Sequence, residues 1–166
     1  MGKPLFRRVT NRWLHLLARF APGSQSLRPV LHRWRGAKIA PGVFIGDDVY
    51  IDGEYPELVE IERDACVSMR VVIVAHARIP GRVVIEQESF IGPGTVIYCT
   101  GGTVLRIGAG AVVAGGSVIT RSVPARTMVA PPPTRPVAHV KHPFTLRTSM
   151  RDFMAGLSPI HRPKPK

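Results

Sequence analysis

A six-residue period restricts this chain more than any other feature. Aliphatic residues fall at Ile39, Ile45 and Ile51, then at Ile61, Val67, Ile73, Ile79, Ile85, Ile91 and Ile97, then at Ile107, Val113 and Ile119. The spacing within each run is six, and each of the two breaks is six plus four inserted residues. Eleven of the twelve isoleucines keep this register; only Ile160 stands outside it. An ordinary strand alternates with period two and has no reason to keep phase from residue 39 to 119. The fourth residue after each anchor is small or β-branched (Val43, Val49, Ala65, Val71, Ala77, Val83, Ser89, Thr95, Gly101, Ala111, Ser117, Val123), Tyr55 excepted. Such a pattern predicts a β-solenoid. Each hexad forms one short side, its anchor points inward, and the small residue lets the chain turn the corner.

These units resemble the hexapeptide-repeat acyltransferases, whose unit reads Ile-Gly-x-x-Val-x; compare Ile45-Gly-Asp-Asp-Val-Tyr50 and Ile107-Gly-Ala-Gly-Ala-Val112. The resemblance implies an all-β fold, a left-handed parallel β-helix of three hexads per triangular coil, against the usual crossover hand. N-terminal helices and a short C-terminal extension complete the expected organisation. We expect a basic amphipathic helical segment at 1–38, the repeat domain at 39–130, and a basic Pro-rich extension at 131–166. With three hexads per coil, residues three anchors apart stack about 4.8 Å from one another. That count stacks Asp64 on Arg82, and Asp48 on Arg70 on Glu88, as cross-strand charge pairing favours. It also sets His76 above Glu54, with Gly94 and Gly116 in the coils beyond. The four-residue insertions, near 55–60 and 98–106, are expected to bulge outward.

His76 is the histidine that lies within the repeats; the other five lie in the flanks. It ends the run Val71-Val72-Ile73-Val74-Ala75-His76 and resembles the catalytic histidine of the sugar-modifying branch of the family. An imidazole with an ordinary pKa near ~6.5 is suited to take the proton of a hydroxyl nucleophile and return it to a leaving thiolate. Glu54 is either the carboxylate that orients the ring or a loop-edge acid. Backbone N–H groups of a neighbouring coil would stabilise the oxyanion. The route needs no covalent enzyme intermediate, so Cys66 and Cys99 read as small packing residues.

The stretch Val113-Ala-Gly-Gly-Ser-Val-Ile-Thr-Arg-Ser-Val-Pro124 is similar to the family's closing motif, which runs along the pantetheine arm of coenzyme A. Its glycines keep the hexapeptide register and no long helix follows, so a dinucleotide fingerprint is the weaker match. By this resemblance Gly115, Thr120 and Arg121 contact acetyl coenzyme A, Phe90 and Gly92 line the same groove, and Arg135 meets the nucleotide phosphates. The family's Gly-x-Pro-Ala-Lys ending is replaced here by Pro131-Pro-Pro-Thr-Arg135. The segment after His76 is short, nearer the exopolysaccharide and lipopolysaccharide O-acetyltransferases. The resemblance therefore implies a homotrimer with the active site between adjacent solenoids. It also implies a sugar acceptor, either free, nucleotide-linked or lipid-linked, and no metal.

Charge then separates the functional classes. The formal net charge is +12, the usual sign of a nucleic-acid partner. Residues 1–38 hold nine bases and no acid, 39–120 hold five bases and ten acids, and 121–166 hold nine bases and one acid. An acidic repeat between basic flanks argues against nucleic acid along the coil. Residues 5–20 place Leu5, Phe6, Val9, Trp13, Leu16, Leu17 and Phe20 on one helical stripe. That helix either packs on the first coil and covers its open edge or contacts an anionic membrane. A second short helix is expected near 26–34, with Ser26 as its cap. No apolar run reaches the length of a membrane span, and arginines interrupt any signal-peptide core. The expected location is the cytoplasm, either free or peripheral on the inner face of the cell membrane. The reading is an acetyl-CoA-dependent O-acetyltransferase on a surface-polysaccharide sugar. Its alternatives are an acyltransferase on another small acceptor, such as an amine, and a non-catalytic membrane- or polyanion-binding solenoid. A zinc carbonic anhydrase on this fold would need three histidines on the coils, and His76 is alone there.

Overall fold

The computed structural model describes residues 5–77, 79–132, 138–143, 145 and 149–160. Two helices, α1 (Leu5–Phe20) and α2 (Leu27–Trp34), precede the coils. The first coil is β1 (Lys38–Ile39), β2 (Phe44–Ile45) and β3 (Tyr50–Ile51); the second is β4 (Val59–Ile61), β5 (Cys66–Val67) and β6 (Val72–Ala77). The third is β7 (Arg82–Ile85), β8 (Phe90–Ile91) and β9 (Val96–Thr100), and the fourth is β10 (Val104–Ile107), β11 (Val112–Val113) and β12 (Val118–Ile119), with β13 (Met128–Val129) beyond. Every third strand joins the same parallel sheet: β1-β4-β7-β10 on the first face, β2-β5-β8-β11-β13 on the second, β3-β6-β9-β12 on the third. The result is a left-handed parallel β-helix of about 4 turns.

The period explains the core. Ile61 pairs with Ile39 and Ile85, Val67 with Ile45 and Ile91, and Ile73 with Ile51 and Ile97. These anchors are buried in three columns, and the small residues Val43, Val49, Ala65, Ser89, Thr95, Ala111 and Ser117 are buried beside them. The corners after the first and second faces each carry one left-handed residue. Gly42, Gly94, Gly110 and Gly116 supply it freely, while Asp48, Asp64, Arg70 and Glu88 (φ 56°) and Arg126 (φ 54°) adopt it at a steric cost.

One expectation of register is corrected. Ile79 is 58% exposed and outside the core. The hexad that contains it leaves the coil, so β6 leads directly to β7 and Ile61 pairs with Ile85. Asp64 therefore shares a corner column with Glu88 rather than Arg82, and Arg70 lies below Gly94 rather than Glu88. Asp48 and Arg70 remain neighbours in one column. The third-position charges are thus corner residues. The charge pairs of the first face are Glu60 with Arg82 and Glu86 with Arg106.

α1 and α2 close the open end of the first coil. Its strands expose carbonyls that no preceding coil satisfies, and three arginines supply the missing donors, one on each face. Arg33 donates to Ile39 O (2.7 Å) and Ala40 O (3.1 Å), Arg28 to Ile45 O (3.0 Å), and Arg35 to Ile51 O (2.9 Å) and Asp52 O (2.7 Å). Arg28 and Arg35 are buried in doing so. Burial lowers the Arg35 pKa to about 10, still leaving it charged at neutral pH. Ser26 occupies the N-cap position of α2, but its side chain makes no capping hydrogen bond.

The described residues from Pro132 onward belong to a separate compact unit. Within it β14 (Ala138–Val140) pairs antiparallel with β15 (Leu157–Pro159). Helix α3 (Met150–Ala155) lies between them, capped by Ser149, whose hydroxyl accepts from Asp152 N.

Candidate active site

Three excursions leave the solenoid at the same edge, between the third face and the first. Their described residues are 52–58, 76–77 with 79–81, and 100–103, and side chains of the first two meet around His76. β6 runs past its coil into the second excursion and carries a bulge. Val74 pairs with Tyr98 and Ala77 with Thr100, so three steps on β6 match two on β9. A bulge re-aims the side chains at its centre, and His76 is one of them. Its side chain is 30% exposed, with the Tyr55 ring at 5.2 Å between centroids.

The carboxylate on His76 is Asp52: Nδ1 lies 2.5 Å from Oδ2. The Asp52 side chain is fully buried. Oδ2 also accepts from Ala75 N (2.9 Å), and Oδ1 accepts from Glu54 N (3.0 Å) and Tyr55 N (2.9 Å). Burial pushes the Asp52 carboxyl up, but the hydrogen bonds from His76, Tyr55 and Ala75 outweigh it and hold the group below its usual range. An ionised carboxylate accepts only, so neutral His76 carries its proton on Nδ1 and keeps a free lone pair on Nε2. That is the tautomer of a general base.

Three hexads per coil, counted along the sequence, set Glu54 opposite His76. The structure instead puts Asp52 on the ring, two residues earlier, and Glu54 contributes its backbone N–H to Asp52. The chain leaves its coil directly after Ile51, so the third position of that hexad is no longer in the stack. A polar residue next to an anchor, at a break in the period, is the signal that points to Asp52.

The backbone behind Asp52 is tied to the helices. Arg35 donates to Asp52 O, as above, and its Nε donates to Asn11 Oδ1 (2.9 Å); Asn11 Nδ2 donates to Gly53 O (2.6 Å). His32 Nδ1 accepts from Arg35 (2.9 Å). Burial lowers His32 to about 3 and His15 to about 4, with the Arg35 charge adding to both. Both rings are neutral at pH 7.

The expected donor residues fall on two edges. Thr120 and Arg121 are exposed and follow β12, on the edge that carries His76, two coils further along. Phe90 is exposed on β8, and Gly92 and Gly115 stack at the corner between the second and third faces. A Cβ on Gly92 would lie 2.4 Å from Gly115 N, so only glycine fits there. Arg135 lies outside the described residues. Cys99 is buried, its thiol 3.3 Å from Thr103 O, and burial pushes the Cys66 thiol up. Among the described residues no three His, Cys, Asp or Glu side chains gather to hold a metal ion.

No protein-family model matches the chain, and no curated protein does. Solved structures do match in fold. A hexapeptide-repeat-containing acetyltransferase of Vibrio cholerae O1 biovar eltor, complexed with acetyl coenzyme A, is 20% identical with a TM-score of 0.54, over 78% of this chain and 85% of its own. A galactoside acetyltransferase in complex with coenzyme A is 16% identical with a TM-score of 0.53, over 76% of each chain. A second structure of the Vibrio cholerae protein gives 21% and 0.52, over 78% of this chain and 88% of its own. The shared fold is that of the hexapeptide-repeat acetyltransferases, the one the repeat implied.

Proposed function

We propose that the chain is an acetyl-CoA-dependent O-acetyltransferase that acts on a sugar hydroxyl of a surface polysaccharide or its precursor. The observation that carries this reading is the Asp52–His76 pair, held in a bulge at the edge of a hexapeptide coil. Nε2 of neutral His76 takes the acceptor hydroxyl proton as the oxygen attacks the thioester carbonyl. Asp52 stabilises the imidazolium that forms and holds its orientation. Collapse of the tetrahedral intermediate breaks the C–S bond, and His76 returns the proton to the coenzyme A thiolate. Acetyl ester and free thiol are the products, and the imidazole is neutral again.

Acetyl coenzyme A as donor is supported by the two neighbours whose structures hold acetyl coenzyme A or coenzyme A. In this reading Phe90, Gly92, Gly115, Thr120, Arg121 and Arg135 line the donor groove. The separation of Phe90 and Gly92 from the His76 edge supports a cleft shared between adjacent solenoids of a homotrimer. We place the activity in the cytoplasm, where acetyl coenzyme A is made.

The test is acetyl-CoA turnover against sugars, nucleotide sugars, lipid-linked saccharides and amines. His76→Ala is expected to lower turnover on the accepted class by roughly 10²–10⁴-fold, with acetyl-CoA binding retained by calorimetry. Unchanged turnover in that variant sinks the mechanism.

A further inference from the structure

Helix α1 sits on the solenoid the wrong way round for an ordinary amphipathic helix. Val9, Trp13, Leu16, Leu17 and Phe20 are all exposed, Trp13 at 65% and Phe20 at 68%. At 3.6 residues per turn these five fall within one arc of about 100°. The opposite side of the helix carries Asn11, His15 and Ala18, and this is the side that meets the protein. His15 and Ala18 are buried there, Asn11 bonds Gly53 O, and His15 packs edge-on to Tyr50 at 4.8 Å. So α1 is held by its polar face, and its apolar stripe points outward. α2 adds the exposed Leu27 and Trp34.

We infer that this stripe is a docking surface for an anionic lipid bilayer. A helix with Trp, Phe and Leu on one side settles about 5–10 Å into the headgroup–acyl boundary, and flanking bases hold it to anionic lipid. The flanking charge is of one sign. Of the nine bases in residues 1–38, Arg28, Arg33 and Arg35 cap the coil and Arg19 bonds Asp48 at 2.7 Å. Arg12 is exposed beside the stripe, Lys3, Arg7 and Arg8 stand at the helix start in sequence, and the segment contains no acid. A two-fold contact with a second copy would oppose this basic surface to itself, and a three-fold contact through the stripe would show as a lower solution mass once the stripe is removed. Anionic lipid opposes it to the complementary charge.

The surface stands on the helix alone and does not depend on acyl transfer. Its placement also bears on the site. Gly53, next to Asp52, touches the side of α1 opposite the stripe, so a docked helix sets that loop about one helix diameter, ~10 Å, from the membrane.

The test uses the full chain and vesicles of phosphatidylcholine with or without phosphatidylglycerol. In Trp34→Phe the remaining tryptophan is Trp13, since the chain has two, and its emission shifts to the blue only with phosphatidylglycerol vesicles. Co-sedimentation shows the same selectivity and weakens with added salt. The triple variant Trp13→Ser/Leu17→Ser/Phe20→Ser loses roughly ten-fold or more of this binding, while its thermal midpoint and solution mass stay those of the parent. Arg12→Glu, which keeps the stripe, weakens binding several-fold. A parent chain that ignores anionic vesicles overturns the proposal, as does a triple variant that still binds them. So does a triple variant with a smaller solution mass when the parent does not bind vesicles, which assigns the stripe to a second copy.

Discussion

Asp52 accepts four hydrogen bonds on its two carboxylate oxygens while fully buried, three from backbone N–H groups and one from His76. This donor set makes an ionised carboxylate stable in that position and makes the orientation of His76 a consequence of backbone geometry. Replacing Asp52 by Asn removes the charge and offers N–H where Nδ1–H needs an acceptor, so the ring turns or takes the other tautomer. Steady-state kinetics of Asp52→Asn are expected to show kcat down by roughly 10²–10⁴-fold with little change in KM for acetyl coenzyme A. Glu54→Gln is expected to lose far less, and equal losses in the two variants would reassign the role. His76 was legible in the sequence because one imidazole stands within a long repeat of apolar anchors. Its partner was not legible, because the contact joins two excursions separated by 24 residues and spacing within a hexad says nothing of how excursions meet.

At the scale of elements, the solenoid supplies a rigid frame, and two of its three excursions bring Asp52 and His76 together. The frame follows from phase. Two of the excursions also show in the phase, as ten-residue gaps after Ile51 and Ile97. The middle one is hidden, because an excursion as long as the period returns the chain to the same phase. The period therefore offers Ile79 as an anchor although it is exposed, while Gly81 N donates to Ala75 O and closes the loop. Ile97→Ala leaves a cavity in the third-face column and is expected to cost about 2–5 kcal/mol. Ile79→Ala is expected to cost about 0.5 kcal/mol or less, as exposed substitutions do. Urea denaturation of both variants checks the register directly.

For the whole molecule, the net charge of +12 breaks into parts with separate work. Three of the N-terminal arginines replace the donors of a missing coil, one on each face, and one of them continues through Asn11 to the loop that holds Asp52. The helices that close the fold thus also brace the site. The same packing buries His15 and His32 as neutral rings, with pKa values lowered to about 4 and about 3. An unfolded chain takes up these protons as pH falls below the ordinary 6.5, and the folded chain does not. Stability is therefore full above about 6.5 and is lost steadily as pH falls, toward about 4 for His15 and about 3 for His32; Asp52, held below its usual 3.8, extends the loss at the acid end. Urea midpoints measured across that window are expected to drop. His32→Gln, which keeps an acceptor for Arg35, is expected to flatten the drop. What the sequence determined by itself was the coil: a strict period forces one inward residue per side, and burial of those residues leaves few alternatives. The tertiary structure decided which residues stack, which carboxylate meets His76, and which way α1 faces. Phase along a chain is a local property, whereas these contacts depend on where separate excursions and helices come to rest against one another.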